Sequence, residues 1–102
     1  MSKTYIPQAV RREVTTMAGE ACVVCGNQAN RCDLHHVTPE YAGGPTVTTN
    51  LVPMCSNKLG SNACHTLTHA AYRSKERKLG RHLTGTEYRG VVDFLTQMMR
   101  TA

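Results

Sequence analysis

The sequence has little of what a large hydrophobic core or a membrane span requires. Its 102 residues include no tryptophan and one phenylalanine, and the mean hydropathy is −0.37. No apolar run approaches the roughly 20 residues that cross a bilayer, and residues 1–7 lack the apolar region of a signal peptide. We therefore expect one small cytoplasmic domain that does not associate with membranes, of a size at which a metal or a disulfide often supplements the core.

Acidic residues are also few. Seven aspartates and glutamates stand against 12 lysines and arginines, which gives a formal net charge of +5. A basic chain suits a polyanionic partner, because its side chains can neutralise phosphates. Many small soluble proteins carry a similar charge, so the composition alone does not identify that partner.

The five cysteines are an odd number, which argues against a closed set of disulfides. In a reducing cytosol we expect thiols or metal ligands instead. Cys22 and Cys25 are separated by two residues, as in the tight turns that bind zinc, and Cys55 with Cys64 is the natural second pair of a tetrahedral site. We expect Cys32 to be a small buried hydrophobic residue. In the alternative, it replaces Cys55 or Cys64 as a ligand.

Four of the histidines form two close pairs. His35 and His36 are adjacent, and His65 and His69 are four residues apart, so a helix places the second pair on one face, one turn apart. Both imidazoles could then reach one metal ion, although two exposed helix histidines would have the same spacing. A divalent ion can neutralise the charge of a phosphorane and its leaving oxygen, and a neutral imidazole can activate water. Taken together, the histidines indicate phosphodiester hydrolysis.

The expected elements place these residues on a hairpin and a helix. Apolar periodicity together with proline and glycine signals predicts four early elements, which are a helix over 7–18, a strand over 31–37, a return region over 47–54 and a helix from about residue 63 into the 70s. A capping box from Thr84 to Glu87 predicts a last helix over about 84–100, which serves for packing or for a dimer contact.

The motifs together resemble those of the HNH endonuclease family. The resemblance covers about residues 20–73 and consists of Cys22-x-x-Cys25, His35-His36, Gly43-Gly44, Asn50-Leu-Val-x-x-Cys55 and Cys64-His65-x-x-x-His69. It implies an α+β fold and a single domain over residues 1–102, in which flanking helices surround a zinc-stabilised ββα-metal core of about residues 20–75. The family usually has Cys-x-x-Cys as its second pair, so we expect residues 58–62 to be a loop insertion that leaves the ligands in place.

The resemblance also implies roles for single residues. His35, His65 and His69 would hold a catalytic divalent ion, with contact to the phosphate as the other role open to His69. His36 would be the general base, and Asn50 would tie down the loop that orients it. A structural zinc would be held by four cysteines, which are Cys22, Cys25, Cys55 and Cys64. Asp33 either orients His35 or is an ordinary surface residue.

The function that the resemblance implies is metal-dependent DNA cleavage, by nicking or by a double-strand cut. The cofactors would be structural Zn²⁺ and one catalytic ion, which is Mg²⁺, Mn²⁺, Ni²⁺ or Zn²⁺. Small single-domain members occur in phages and bacteria, so a phage or bacterial role with DNA-processing partners is expected, and RNA cleavage and a homodimer stay open. Phosphate contacts with weak sequence preference are expected from the basic residues after the catalytic helix, which are Arg73, Lys75, Arg77, Lys78 and Arg81.

Two alternatives to this function need no catalysis. The first is a zinc-finger module that binds nucleic acid, which would keep the cysteines and the basic residues but would not need His36. The second is a purely structural zinc domain in which His65 or His69 joins the cysteines as a ligand. The combination of His35, His36, Asn50 and the later histidine pair favours the nuclease.

Overall fold

The computed structural model describes residues 6–26, 32–55 and 63–101, and in this part of the chain it has three α-helices and one two-stranded antiparallel sheet. In chain order the elements are α1 (Gln8–Met17), β1 (Cys32–His36), β2 (Leu51–Cys55), α2 (Cys64–Leu79) and α3 (Gly85–Thr101). Two single 3-10 turns, Glu40–Ala42 and Thr48–Asn50, lie between the strands. This order confirms the predicted α+β fold with a ββα core.

The two strands form a hairpin whose two ends carry different chemistry. His36 pairs with Leu51 at the end next to the connecting loop, and Cys32 pairs with Cys55 at the opposite end. The loop over residues 37–50, called the β1–β2 loop below, therefore starts directly after the histidine doublet. The register places the histidines and the cysteines on one rigid unit.

Pro53 lies within β2, opposite Leu34, although a proline has no N–H group to donate to a ladder. In a two-stranded ladder each strand is an edge, and an edge tolerates a residue without an N–H group. The Pro53 carbonyl is used as well, since it accepts a hydrogen bond from the Val23 amide at 2.9 Å. Proline therefore does not end this strand.

The helices pack on the hairpin through a few large side chains. Tyr72 of α2 and Tyr88 of α3 are fully buried, and their ring centroids are 4.7 Å apart. In α1 the side chain of Val14 is buried, whereas that of Met17 is 70% exposed. The apolar stripe of α3 is likewise buried in its first half, and its later residue Met98 is 49% exposed.

The start of α3 has the predicted capping box. The Thr84 amide donates to Glu87 Oε1 at 2.8 Å, and the Glu87 amide donates to Thr84 Oγ1 at 3.2 Å. These reciprocal bonds satisfy two of the amide groups that a helix start leaves unpaired. At the other end of α3, the Arg100 guanidinium donates to the carbonyls of Cys22, Val23 and Val24 at 3.1–3.3 Å. Thus α3 connects the end of α2 with the Cys22–Cys25 turn.

Within the described residues, the helices are too short or too polar for any of them to span a bilayer.

Candidate active site and metal centres

Three histidines from two elements meet between the hairpin and α2. His35 of β1 is 1% exposed, and His65 and His69 come from consecutive turns of α2. One ring nitrogen of each lies within 4.8 Å of the others, and the Nε2 atoms of His65 and His69 are 3.1 Å apart. The helical spacing predicted from the sequence therefore brings this pair together, and the hairpin adds His35. These three residues are called the histidine cluster below.

The histidine cluster fits a divalent metal ion. His35 Nδ1 is fully buried and has no hydrogen-bond partner among the residues that the structure describes. A buried nitrogen without a partner is costly unless it meets a ligand. Three imidazoles with converging nitrogens are a donor set suited to transition ions such as Zn²⁺ and Ni²⁺.

Two histidines of the cluster have pKa values well below that of an ordinary histidine. Burial, and then the charge that the neighbouring histidines would carry, lowers the pKa of His35 to about 2. Burial also lowers the pKa of His69 to about 4, with further contributions from His65 and Arg73. Both rings are therefore neutral near pH 7, and a neutral imidazole has the lone pair that a metal ligand requires.

Asp33 lies beside His65 rather than His35. Its Oδ2 atom is 3.3 Å from His65 Nδ1, which leaves Nε2 of His65 facing His69. Asp33 and His35 are two residues apart on β1 and share one face of the strand, so the carboxylate reaches the helix that covers that face. A carboxylate on the far nitrogen of a metal-binding histidine orients the ring and raises its basicity. The sequence left open whether Asp33 orients His35 or is an ordinary surface residue, and the contact observed is with His65.

His36 has a different partner from the cluster histidines. Its Nε2 atom is 3.0 Å from Thr46 Oγ1, across the β1–β2 loop. Thr46 was not predicted from the sequence, because a threonine after Gly44-Pro45 carries no spacing signal that links it to a histidine ten residues earlier. A second missed residue is Tyr72, whose hydroxyl lies 3.0 Å from His35 Nε2.

Asn50 closes the β1–β2 loop. Its Oδ1 atom accepts from the Thr38 amide at 2.9 Å, and its Nδ2 atom donates to the carbonyls of Thr38 and Pro45 at 3.0 and 2.9 Å. A Cβ atom on Gly44 would collide with the Thr38 carbonyl. The close approach of these two parts of the loop therefore requires glycine at position 44. Asn50 thereby holds together the segments that carry His36 and Thr46, which is the arrangement that its predicted role requires.

The histidines open onto a cleft of about 520 Å³. Its lining combines both histidine pairs with the first turn of the β1–β2 loop and consists of Leu34, His35, His36, Pro39, Glu40, Tyr41, His65 and His69. Tyr41 is held at the rim by hydrogen bonds from its hydroxyl to the Glu76 carboxylate at 3.0 and 3.2 Å. The structure thus brings His36 into the same cleft as the histidine cluster.

The four predicted cysteines form a second group, called the cysteine group below. The sulfur atoms of Cys22, Cys25, Cys55 and Cys64 lie within 4.8 Å of one another, and none of them is in a disulfide. The amides of Cys25 and Cys55 lie 3.5 and 3.4 Å from Cys22 Sγ. Burial, followed by the neighbouring cysteines, raises the pKa of Cys64. Thiolates packed this closely need a cation, so the group is positioned to form a metal site.

Cys32 lies next to this group but outside it. It pairs with Cys55 in the hairpin and is half-buried against the core, as expected for a small hydrophobic residue. Burial, followed by neighbouring cysteines, raises the pKa of Cys32 to about 12. The predicted loop insertion over residues 58–62 lies outside the described residues.

The predicted basic residues of α2 are exposed, but they do not share one face. At 100° per residue, Arg73 and Arg77 continue the face that carries His69, while Lys75 and Lys78 lie on other sides of the helix. Arg73 is one turn beyond His69 and contributes to the lowered pKa of that residue. The two arginines are therefore the α2 cations nearest to the cleft.

Arg81 already has a partner within the chain. Its Nη atoms donate to the Glu87 carboxylate at 2.8 and 3.2 Å, and half of its side chain is exposed. Arg73, Arg77 and Arg81 border one depression of about 540 Å³ together with Glu76. For Arg81, a phosphate would therefore have to compete with the Glu87 carboxylate.

A hairpin covered by a helix, with a histidine cluster and a separate cysteine group, has the architecture of a ββα-metal protein. The model of the HNH endonuclease family matches residues 22–71, a segment that contains the whole cysteine group and histidine cluster together with His36 and Asn50. Through this segment the chain belongs to the HNH endonuclease family, and a nucleic-acid substrate and a nuclease-related function follow from that membership. No curated protein and no solved structure gave a significant match.

Proposed function

We propose that the protein is a metal-dependent endonuclease that hydrolyses DNA phosphodiester bonds, by nicking one strand or cutting both. The observation that supports this most is the presence of the histidine cluster and His36 in one cleft. A catalytic core of about residues 20–75 would act within one domain over residues 1–102, with α3 as a packing helix. The same core would be open to phage or bacterial DNA-processing partners.

The catalytic ion would be held by His35, His65 and His69. When bound, an ion such as Mg²⁺, Mn²⁺, Ni²⁺ or Zn²⁺ supplies a Lewis acid for the phosphate and the leaving oxygen. The all-imidazole donor set favours Ni²⁺ and Zn²⁺ over Mg²⁺, which prefers oxygen ligands. Asp33 supports this role for His65 by its contact with the far ring nitrogen.

His36 would be the general base that takes a proton from the attacking water. If His36 Nε2–H donates to Thr46 Oγ1 across their 3.0 Å contact, Nδ1 is left unprotonated and can accept that proton. Asn50 supports this role from a distance, because it fixes Thr38, two residues after His36, and Pro45, which precedes Thr46.

Phosphate binding would come from exposed basic side chains. Contacts to phosphates do not distinguish one base from another. Arg73 and Arg77 follow His69 on its helix face, and bidentate arginine–phosphate bonds would hold the backbone beside the cleft. Lys75, Lys78 and Arg81 would add affinity at the periphery. We therefore expect weak sequence preference and a strong dependence of binding on salt.

The cysteine group would hold a structural Zn²⁺ by four thiolates. Neither the zinc-finger module nor the structural zinc domain is favoured by these contacts. A zinc-finger module does not need the histidine cluster. A structural zinc domain would need His65 or His69 near the cysteines, whereas these residues lie with His35.

Cleavage of supercoiled plasmid at low salt, with EDTA or with each of the four ions, tests the proposed function. We expect metal-dependent nicking that His36→Ala reduces by about 10²–10⁴-fold, the usual contribution of a general base, with unchanged folding and zinc content. His82→Ala is the matched control, since this exposed histidine lies outside the cluster. Equal cleavage by His36→Ala would refute the base assignment. Retained DNA binding without cleavage under any ion would instead support the zinc-finger module.

A further inference from the structure

The hydroxyl of Tyr72 lies between two polar atoms in the core of the protein. It donates to the Val37 carbonyl at 2.6 Å and lies 3.0 Å from His35 Nε2. The side chain is fully buried, and a contact this short with a carbonyl oxygen requires that the hydroxyl carries its proton. The contact with His35 connects α2 with β1, and the contact with Val37 connects α2 with the first residue of the β1–β2 loop.

The direction of these two hydrogen bonds follows from the number of protons. A phenol has one proton to donate, and a carbonyl oxygen can only accept. Since Tyr72 donates to Val37, its oxygen must accept from His35. Nε2 of His35 therefore carries the proton of the neutral ring, and Nδ1 carries the lone pair. Nδ1 is also the buried atom that has no hydrogen-bond partner among the described residues.

We propose that Tyr72 is a positioning residue that holds His35 in the Nε2–H tautomer and thereby presents Nδ1 to a metal ion in the histidine cluster. The inference deepens the proposed function, on whose metal site it rests. The ligand atom of His35 would be Nδ1. Tyr72, which is well separated from His35 in sequence, would determine that choice. Without the hydroxyl, the Nε2–H group of His35 would be buried without an acceptor.

Tyr72 is itself held in place by α3. Its ring packs against that of Tyr88, with centroids 4.7 Å apart, and the Tyr88 hydroxyl donates to the Glu76 carboxylate. Tyr72 also lies three residues after His69 on α2, with ring centroids 6.0 Å apart. A buried, packed phenol has few alternative rotamers, which suits a group whose function is to fix the orientation of another ring.

The test uses the full chain loaded with one equivalent of Zn²⁺ for the cysteine group and no other metal. Ring ¹⁵N NMR spectra should show a slowly exchanging proton on Nε2 of His35 and none on Nδ1. A proton on Nδ1 in the wild type would overturn the proposal, and this measurement does not require any variant to fold.

The second arm compares Tyr72→Phe with Tyr88→Phe, which removes a different buried hydroxyl from the same core. Tyr72→Phe should lose the protected Nε2–H signal and bind Ni²⁺ at least about tenfold more weakly by calorimetry, the usual loss when a partner of a metal-binding histidine is removed. Tyr88→Phe should keep both properties. Unchanged Ni²⁺ affinity and an unchanged ring signal in Tyr72→Phe would contradict the proposal, because a purely structural role would change stability alone.

These readouts separate the inference from the proposed function. If the tautomer and Ni²⁺ binding behave as expected while no DNA is cleaved, the positioning role stands and the nuclease proposal fails. If DNA is cleaved but the proton is on Nδ1, the nuclease proposal stands and the role of Tyr72 fails.

Discussion

The two histidines of the doublet are neighbours in sequence but have different partners in the structure. His35 is buried and contacts Tyr72, while His36 is half-buried and contacts Thr46. Alternation along a strand turns successive side chains to different sides, so adjacent residues can meet different environments. This difference suits the two proposed roles, since a metal ligand needs a fixed ring and a general base needs access to water.

Cys32 shows how environment separates residues of one type. It lies beside the cysteine group, yet its raised pKa of about 12 and its place outside the group indicate a structural thiol. A raised pKa means that less thiolate is present at a given pH, and thiolate is the form that reacts with alkylating agents.

We therefore predict that Cys32 of the zinc-loaded protein reacts with iodoacetamide much more slowly at pH 8 than a free thiol such as N-acetylcysteine. The alkylation rate should keep rising with pH beyond the ordinary cysteine value of 9.0, because burial, the largest cause of the raised pKa, is present in the zinc-loaded protein as well. Peptide mapping by mass spectrometry would measure this rate. Alkylation of Cys32 at pH 8 as fast as that of the free thiol would contradict its assigned environment.

At the scale of elements, the β1–β2 loop joins the doublet to the second strand and orients His36. Asn50 makes three hydrogen bonds across it, and Gly44 permits the close approach that those bonds require. These bonds hold the two ends of the loop together, and they place Thr46 where its hydroxyl contacts His36. In the proposed mechanism, the loop determines the tautomer and the ring orientation of His36 through its contact with Thr46.

Thr46→Val tests this role of the loop, because valine keeps the shape of threonine and removes the hydroxyl. We predict cleavage about tenfold slower than that of the wild type, with unchanged zinc content and thermal stability, since misorientation of a catalytic group costs rate rather than fold. Single-turnover cleavage of a labelled duplex measures the effect. Thr49→Val, at an exposed position of the same loop, is the control that should cleave normally, and an equal rate for Thr46→Val would remove Thr46 from the site.

At the scale of the whole molecule, the cysteine group and the histidine cluster share α2. Cys64 is its first residue and belongs to the cysteine group, and His65 is its second and belongs to the histidine cluster. The start of α2 is thereby fixed against the Cys22–Cys25 turn, to which Arg100 also attaches the end of α3. Metal binding by the cysteines should therefore position the catalytic helix as well as stabilise the fold.

Cys25→Ala is predicted to release zinc and to unfold the domain, because binding of a structural zinc supplies about 10–16 kcal/mol of apparent free energy in small zinc domains. Zinc content by mass spectrometry and far-UV circular dichroism at pH 7 would follow both losses. Cys32→Ala is the matched control and should keep its zinc. A folded, zinc-loaded Cys25→Ala protein would show that the cysteine group is not a structural site.

Much of the fold and of the candidate site could be predicted because it depends on local spacing. The helical pair His65 and His69, the Cys22–Cys25 turn and the capping box at Thr84 all involve residues within four positions of each other. Their geometry follows from the helix period and from turn chemistry. The first strand and the start of α2 were also predicted to within one residue, whereas β2 begins four residues after the start of the predicted return region.

The remaining contacts depend on how the elements pack. Thr46 lies 10 residues from His36, Asp33 lies 32 from His65 and Tyr72 lies 37 from His35. The contact of Asp33 with His65 was therefore not predicted, and Thr46 and Tyr72 were missed. A single sequence does not show which of many polar side chains will meet across a core, because that depends on strand register and helix placement.

The amino-acid sequence by itself determined the family of this protein and identified its candidate ligand residues, since cysteine pairs and histidine pairs at these spacings are typical of metal sites. Only the tertiary structure decided how those ligands are oriented. The hairpin register places His35 beneath α2, and the packing of the elements then provides Tyr72 as a partner for His35, Asp33 for His65 and Thr46 for His36. Orientation depends on contacts between distant segments, and such contacts are defined only when the chain has folded.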